Sequence, residues 1–280
     1  MALRNLLVHL DSEAAARQRG ALALTLAEAH EAHLAAVIPT ATPLLPSYIG
    51  AQLPRELIEL QEKGARERAE ATAAAFEAAA KDVGAKTEAR VVSCEEPRVA
   101  EVINLHARYA DMIILGQHNA DEPAPGGASL VEDVVLGAGR PVMIVPYIGT
   151  RQTPGGRVMV AWDGGREAAR AVQDALPLLE AAEEVVVLVI GASRHPESHG
   201  EEPGADIALH LSRHGVPTEV HRSDGANISV GEEILSRLAD AGSDLLVMGG
   251  YGHSRLREVV LGGATRTILG EMTVPVLMSH

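Results

Sequence analysis

A run of glycines near the C-terminus is the part of this sequence best suited to chemistry. It reads Met248-Gly249-Gly250-Tyr251-Gly252-His253-Ser254-Arg255-Leu256-Arg257-Glu258-Val259-Val260-Leu261-Gly262-Gly263-Ala264-Thr265 and follows the apolar stretch Leu245-Leu246-Val247. Without a Cβ, Gly249 and Gly252 can let the backbone pass close to a ligand and take positive φ. Successive N–H groups in such a turn form a concavity that draws in anions. Gly262-Gly263 would then open a helix whose first amides have no intrahelical partner. Two sets of donors aimed at one point can grip a polyphosphate.

Other chemistries lack their residues. The only lysines are Lys63, Lys81 and Lys86, and none follows a glycine, so there is no Walker A loop. No Gly-x-Ser-x-Gly elbow and no Cys-x-x-Cys occur. Efficient phosphoryl transfer needs a cationic clamp and Mg²⁺, whereas Arg255, Arg257 and Glu258 read as solvated loop residues. His210 and His214 stand four apart on a predicted helix with His195 and His199 nearby, but a closed zinc site needs four ligands, and a solvated helix face is the simpler reading. Cys94, the single cysteine, reads as an incidental thiol.

The elements that would position the glycine loop occur twice. Leu6-Leu7-Val8-His9-Leu10-Asp11 opens the first half and Val158-Met159-Val160-Ala161-Trp162-Asp163 the second, each a short apolar strand ending in Asp. Ala-rich helical stretches follow, over about 13–31 and 166–182, then the β-branched runs Leu34 to Ile38 and Val185 to Ile190. Asp111-Met112-Ile113-Ile114-Leu115-Gly116 matches Asp244-Leu245-Leu246-Val247-Met248-Gly249, and both halves close on Pro-Val, at Pro141 and Pro275. Apolar strands separated by helices predict parallel sheets with right-handed crossovers. The expected fold class is therefore α/β, with two tandem doubly wound open parallel-sheet domains of Rossmann-like form. Linker composition from Tyr147 to Gly156 puts the domains at 1–148 and 156–280. Between its second and third strands the first half inserts 40–84, an apolar Pro-rich loop (43–49) and then a long amphipathic helix starting near Pro54.

Gly249, two residues, Gly252, nine residues, Gly262 resembles the nucleotide loop of the ATP-binding universal stress proteins, in which Ser or Thr follows the third glycine. The words Asp244 to Gly249 and Thr273-Val274-Pro275-Val276-Leu277 look like that family as well. The resemblance implies that Asp163 meets adenine and that Ile190 covers the base or ribose. It sets Met248 and Gly249 beside the ribose and α-phosphate, with Gly252, His253, Gly262, Gly263 and Ala264 around the phosphates. Ala161, Trp162, Ser254 and Thr265 complete the candidate cofactor-binding set, and no catalytic or metal residue is assigned. Gly263 stands where the family has its hydroxyl residue. Losing that hydrogen bond costs about 0.5–1.5 kcal/mol, a loss of roughly threefold to tenfold in affinity, and Thr265 is the candidate substitute. In the first half Asp11 survives, but Gly116 aligns with Gly249 and Ala128-Ser129 with Gly262-Gly263, so the loop is degenerate. The family also implies pairing of the closing strands, 141–145 with 275–278, as an intramolecular pseudo-dimer, and a homo-oligomer is a candidate.

Bulk composition bounds the rest. A net charge of -14 opposes nucleic acid and anionic membrane surfaces. No apolar stretch approaches membrane-spanning length and no signal peptide is evident, which with a lone cysteine gives a cytoplasmic expectation. The leading reading is a stress-response module that binds ATP or a related adenine nucleotide, with Mg²⁺ a candidate companion. The rivals are a slow ATP hydrolase and a nucleotide-free scaffold or apolar-ligand carrier using the 43–49 loop.

Overall fold

A computed structural model of the chain describes residues 3–42, 54–122, 124–149, 154–192, 201–225, 228–252 and 263–280. The apolar loop 43–49 therefore lies outside the described residues. Two compact units result, Leu3–Arg140 and Pro141–His280.

In the first unit, strand β1 (Asn5–His9) leads through a short helix α1 (Glu13–Ala15), a π-helical turn (Ala16–Gly20) and helix α2 (Ala21–Ala29) to β2 (His33–Thr42). Helix α3 (Arg55–Val83) precedes β3 (Thr87–Glu95), α4 (Val99–Ala107), β4 (Met112–Gly116) and α5 (Leu130–Gly137). Its strands lie in the order β3-β2-β1-β4, and the pairs are parallel. Buried Leu6, Leu7, Val8, Ile113 and Ile114 form the central strands. Helix α3 is the insertion expected after Pro54. It is mostly polar, buries Phe76 completely, and stops at Gly84, whose φ of 66° is the left-handed cap that glycine takes without strain.

The second unit contains β5 (Val142–Val145), β6 (Arg157–Ala161), helix α6 (Arg166–Leu179), β7 (Glu184–Ile190), α7 (Ala205–Arg213) and β8 (Thr218–Ser223). It continues with α8 (Val230–Ala241), β9 (Leu245–Gly249), α9 (Gly263–Glu271) and β10 (Val276–Ser279). The order is β5-β10-β9-β6-β7-β8, parallel except for β5, which runs antiparallel to β10 with Val276 opposite Ile144. That pairing is why the compact unit begins at Pro141, ahead of the linker-like stretch.

The repeat extends to polar detail. The Asp that precedes the fourth strand of each half ties down the start of the first. Asp111 Oδ2 accepts the amides of Arg4 (2.8 Å) and Asn5 (2.9 Å), and Asp244 Oδ1 accepts those of Gly155 (2.7 Å) and Arg157 (3.3 Å). Each bond satisfies an amide at the sheet end.

Phe76 is the sole phenylalanine, and its ring reaches 3.4 Å from where a Cβ on Gly20 would lie. Truncating it leaves a cavity between α3 and the helix below. Phe76→Ala should therefore destabilise the first unit by about 3–5 kcal/mol, read as a lowered urea midpoint.

Candidate functional site

In the second unit the chain leaves β6 for β7 and β8 on one side, then returns to β9 on the other. The carboxyl ends of β6 and β9 thus flank a topological switch point, where open α/β sheets hold ligands. Register brings the candidate residues there. Ala161 pairs with Met248 on β9 and with Leu188 on β7, so Asp163, Ile190 and Gly249 emerge from three adjacent strands at one edge. Trp162 donates its amide to Leu188 O (2.9 Å) and stays half-buried.

Asp163 is exposed, and its Oδ1 accepts the Gly165 amide at 2.8 Å. This carboxylate shapes the turn into α6 and does not cap the helix, whose cap position is held by Gly165 in extended conformation. Gly249 has a role the sequence did not suggest. A Cβ there would lie 2.6 Å from Ala168 N and 2.7 Å from the carbonyl carbon of Glu167, so the first turn of α6 crosses directly over it. Neither Gly249 nor Gly252 has positive φ. The left-handed residue is Tyr251, at φ 60°, buried at 8% exposure. A left-handed residue after a right-handed one can form an N–H concavity for anions, and for a non-glycine it costs about 1–2 kcal/mol. The Gly250 amide is committed to Ser279 O (2.9 Å), and the Gly250 carbonyl lies 3.0 Å from His280 Nδ1.

Sequence reasoning missed Glu167. Its side chain is 10% exposed, and its Oε2 would stand 3.0 Å from a Cβ on Gly252. Burial pushes the carboxyl upward, but the Arg166 guanidinium at 2.5 Å, a bond to its own backbone amide and the nearby His280 outweigh burial and hold it below the usual range. A fixed negative charge therefore lies beneath the glycine loop. An acid in the first turn is an ordinary partner for the helix dipole, which is why nothing in the sequence singled it out.

Helix α9 begins at Gly263, which is exposed, with open space around the position of a Cβ. Ala264 is half-buried and Thr265 is buried, two residues on and so on the other side of the helix from Gly263. His253, Ser254 and Gly262 lie outside the described residues. Away from this edge, the His210 and His214 rings are 4.8 Å apart and His214 Nδ1 is 3.9 Å from Glu180. Among the described residues no group of three or more His, Cys, Asp or Glu could hold a metal ion.

The corresponding edge of the first unit, between β1 and β4, is built differently. Arg19, from the π turn, donates Nη2 to Asp11 Oδ1 at 2.7 Å, with the two side chains 11% and 13% exposed. Burial pushes Asp11 upward, but Arg19 and His9 draw its pKa below the ordinary value. His9 beside them is fully buried, and neither ring nitrogen has a hydrogen-bond partner among the described residues. Burial lowers its pKa from 6.5 to about 4, Asp11 opposing and Arg19 reinforcing the shift.

Comparison with known proteins places these observations. The model of the universal stress protein family matches residues 156–280. A universal stress protein of Synechocystis sp. (strain ATCC 27184 / PCC 6803 / Kazusa) is 27% identical over 171 residues, 60% of this chain and 57% of that protein, so the chain spans a little over half of this relative. In fold, the chain is similar to a universal stress protein from Archaeoglobus fulgidus DSM 4304, with a TM-score of 0.72 at 18% identity, covering 98% of this chain and 97% of the other. It is also similar to a functionally unknown protein from Pseudomonas aeruginosa PAO1, with a TM-score of 0.59 at 14% identity over 99% and 92% of the two chains.

Two stability measurements check the geometry. Gly249→Ala drives a methyl into the backbone of α6 and should cost about 1–3 kcal/mol without any ligand, whereas Gly263→Ala, facing open space, should leave the thermal midpoint unchanged or slightly raised. His9 makes the first unit labile to acid. Between pH 6.5 and about 4 the unfolded chain binds the His9 proton more readily than the folded one. The stability it confers is thus complete above pH 6.5 and lost as pH falls toward 4, by about 3 kcal/mol. Chemical denaturation across that range should show the slope, and His9→Phe should flatten it.

Proposed function

We propose, from the premise that this chain belongs to the universal stress protein family through residues 156–280, that its C-terminal unit binds ATP or a related adenine nucleotide and acts as a nucleotide-responsive module in the stress response. The observation that carries this reading is the convergence of Asp163, Ile190 and the 249–252 loop on one switch-point crevice. A half-buried tryptophan and an isoleucine flank an exposed carboxylate there, which suits a flat heteroaromatic base with an exocyclic amine donor. The left-handed turn at Tyr251 and the N-terminus of α9 supply amide dipoles, which suit phosphate binding by an acidic chain with no lysine after Lys86.

The Glu167 carboxylate opposes that anion. A Mg²⁺ ion carried in with the phosphates would offset its charge, and Glu167 sets how strongly binding depends on such an ion. The function proposed is binding, with slow ATP hydrolysis as the alternative.

Calorimetric titration with ATP, with and without Mg²⁺, tests this directly, and the emission of Trp162, next to Asp163, reports base docking independently. Asp163→Ala should weaken binding about tenfold or more, while Glu167→Gln should tighten it by about threefold to tenfold and reduce its dependence on Mg²⁺. No heat and no fluorescence change at millimolar ATP would refute the proposal, and steady ADP release would move it to a hydrolase.

A further inference from the structure

The two units share strand order, and both place an Asp after the first strand and a Gly at the end of the fourth. What covers that Gly differs. Over Gly249 lies helix backbone, and Asp163 beside it is exposed. Over Gly116 lies a guanidinium: a Cβ there would be 2.6 Å from Arg19 Nη1, 2.7 Å from Cζ and 3.1 Å from Nε. The same arginine takes the carboxylate of Asp11, the counterpart of Asp163, at 2.7 Å. Both groups that would meet a nucleotide in this unit, the carboxylate after the first strand and the backbone at the end of the fourth, are thus occupied by one side chain.

The π turn accounts for its placement. A π turn holds one residue more than an α turn and so rotates the next residues around the helix axis. Eight residues beyond Asp163 the regular helix α6 has Ala171, fully buried and small; eight beyond Asp11, the turn Ala16–Gly20 delivers Arg19 to the crevice instead. Arg19 is 9% exposed, and its Nη2 donates to Asp11 Oδ1. Burying an ion pair this far carries a desolvation cost that can exceed its Coulombic gain, so stability alone is a weak reason for the pair above Gly116.

We propose that the Asp11–Arg19 pair is a built-in stopper that closes the switch-point crevice of the N-terminal unit to adenine nucleotide, leaving the chain one such site, in the C-terminal unit. The identity of the excluded ligand rests on the function proposed above. Removing the guanidinium while keeping Asp11 should open a second site.

The experiment uses the full chain, calorimetry with ATP for stoichiometry, and photolabelling with 8-azido-ATP followed by peptide mapping to tell the units apart. Wild type should bind one ATP and take label only within 141–280. Arg19→Ala should bind two and raise labelling within 3–140 by about tenfold or more. Arg19→Gln, which keeps a hydrogen bond to Asp11 and serves if the alanine variant does not fold, should do the same to a smaller degree. Two sites in wild type, or label within 3–140 before any substitution, would overturn the stopper, as would folded Arg19 variants that gain no site. If wild type binds nothing, the C-terminal reading fails by itself. A single site gained within 3–140 in the Arg19 variants would then still support the stopper, and none would overturn it.

Discussion

The first turn of α6 crosses the end of β9 at a distance only glycine permits, and the rest of the C-terminal edge depends on that crossing. With 2.6 Å between a Cβ on Gly249 and the Ala168 amide nitrogen, any larger residue would lift the helix. Around this crossing, Asp163 accepts the Gly165 amide, Glu167 lies close to Gly252, and Tyr251 takes a left-handed φ of 60°. Strand order brings the parts to one edge, and close packing aims them.

Much of this was legible in the residues. Apolar runs ending in Asp or Gly marked the strands, the duplicated order marked the two halves, and Pro54 marked the start of the long helix because proline fits the first positions of a helix and not its middle. The glycine spacing pointed to the sheet edge at the β6–β9 switch point. What could not be read was which contact each glycine serves. Gly249 faces a helix backbone, and the positive φ belongs to Tyr251, since long-range packing and not local propensity sets both. Arg19 and Glu167 escaped notice for a related reason. Ala16-Arg17-Gln18-Arg19-Gly20 has nothing to distinguish a π turn from an α-helix with a solvated basic face, and Glu167 looks like a partner for the helix dipole.

Electrostatically the two edges differ in where their ion pairs sit. The N-terminal crevice has a cation neutralised by its own carboxylate, with a neutral buried His9 behind it. The C-terminal crevice has Glu167, paired with Arg166, below the loop and the amides at the start of α9 facing it. In a chain of net charge -14, the proposed phosphate ligand would have to be drawn by local geometry against the overall field.

The central claim is that the amides around 249–252 and at the start of α9 hold a polyanion together. Hydrogen–deuterium exchange of the full chain, with and without saturating Mg²⁺-ATP, measures those amides directly. Slowed exchange in peptides spanning 249–252 and 263–266, with exchange in 3–140 unchanged, is the predicted result. Exchange that is unaltered in both peptides, or slowed only elsewhere, would contradict it.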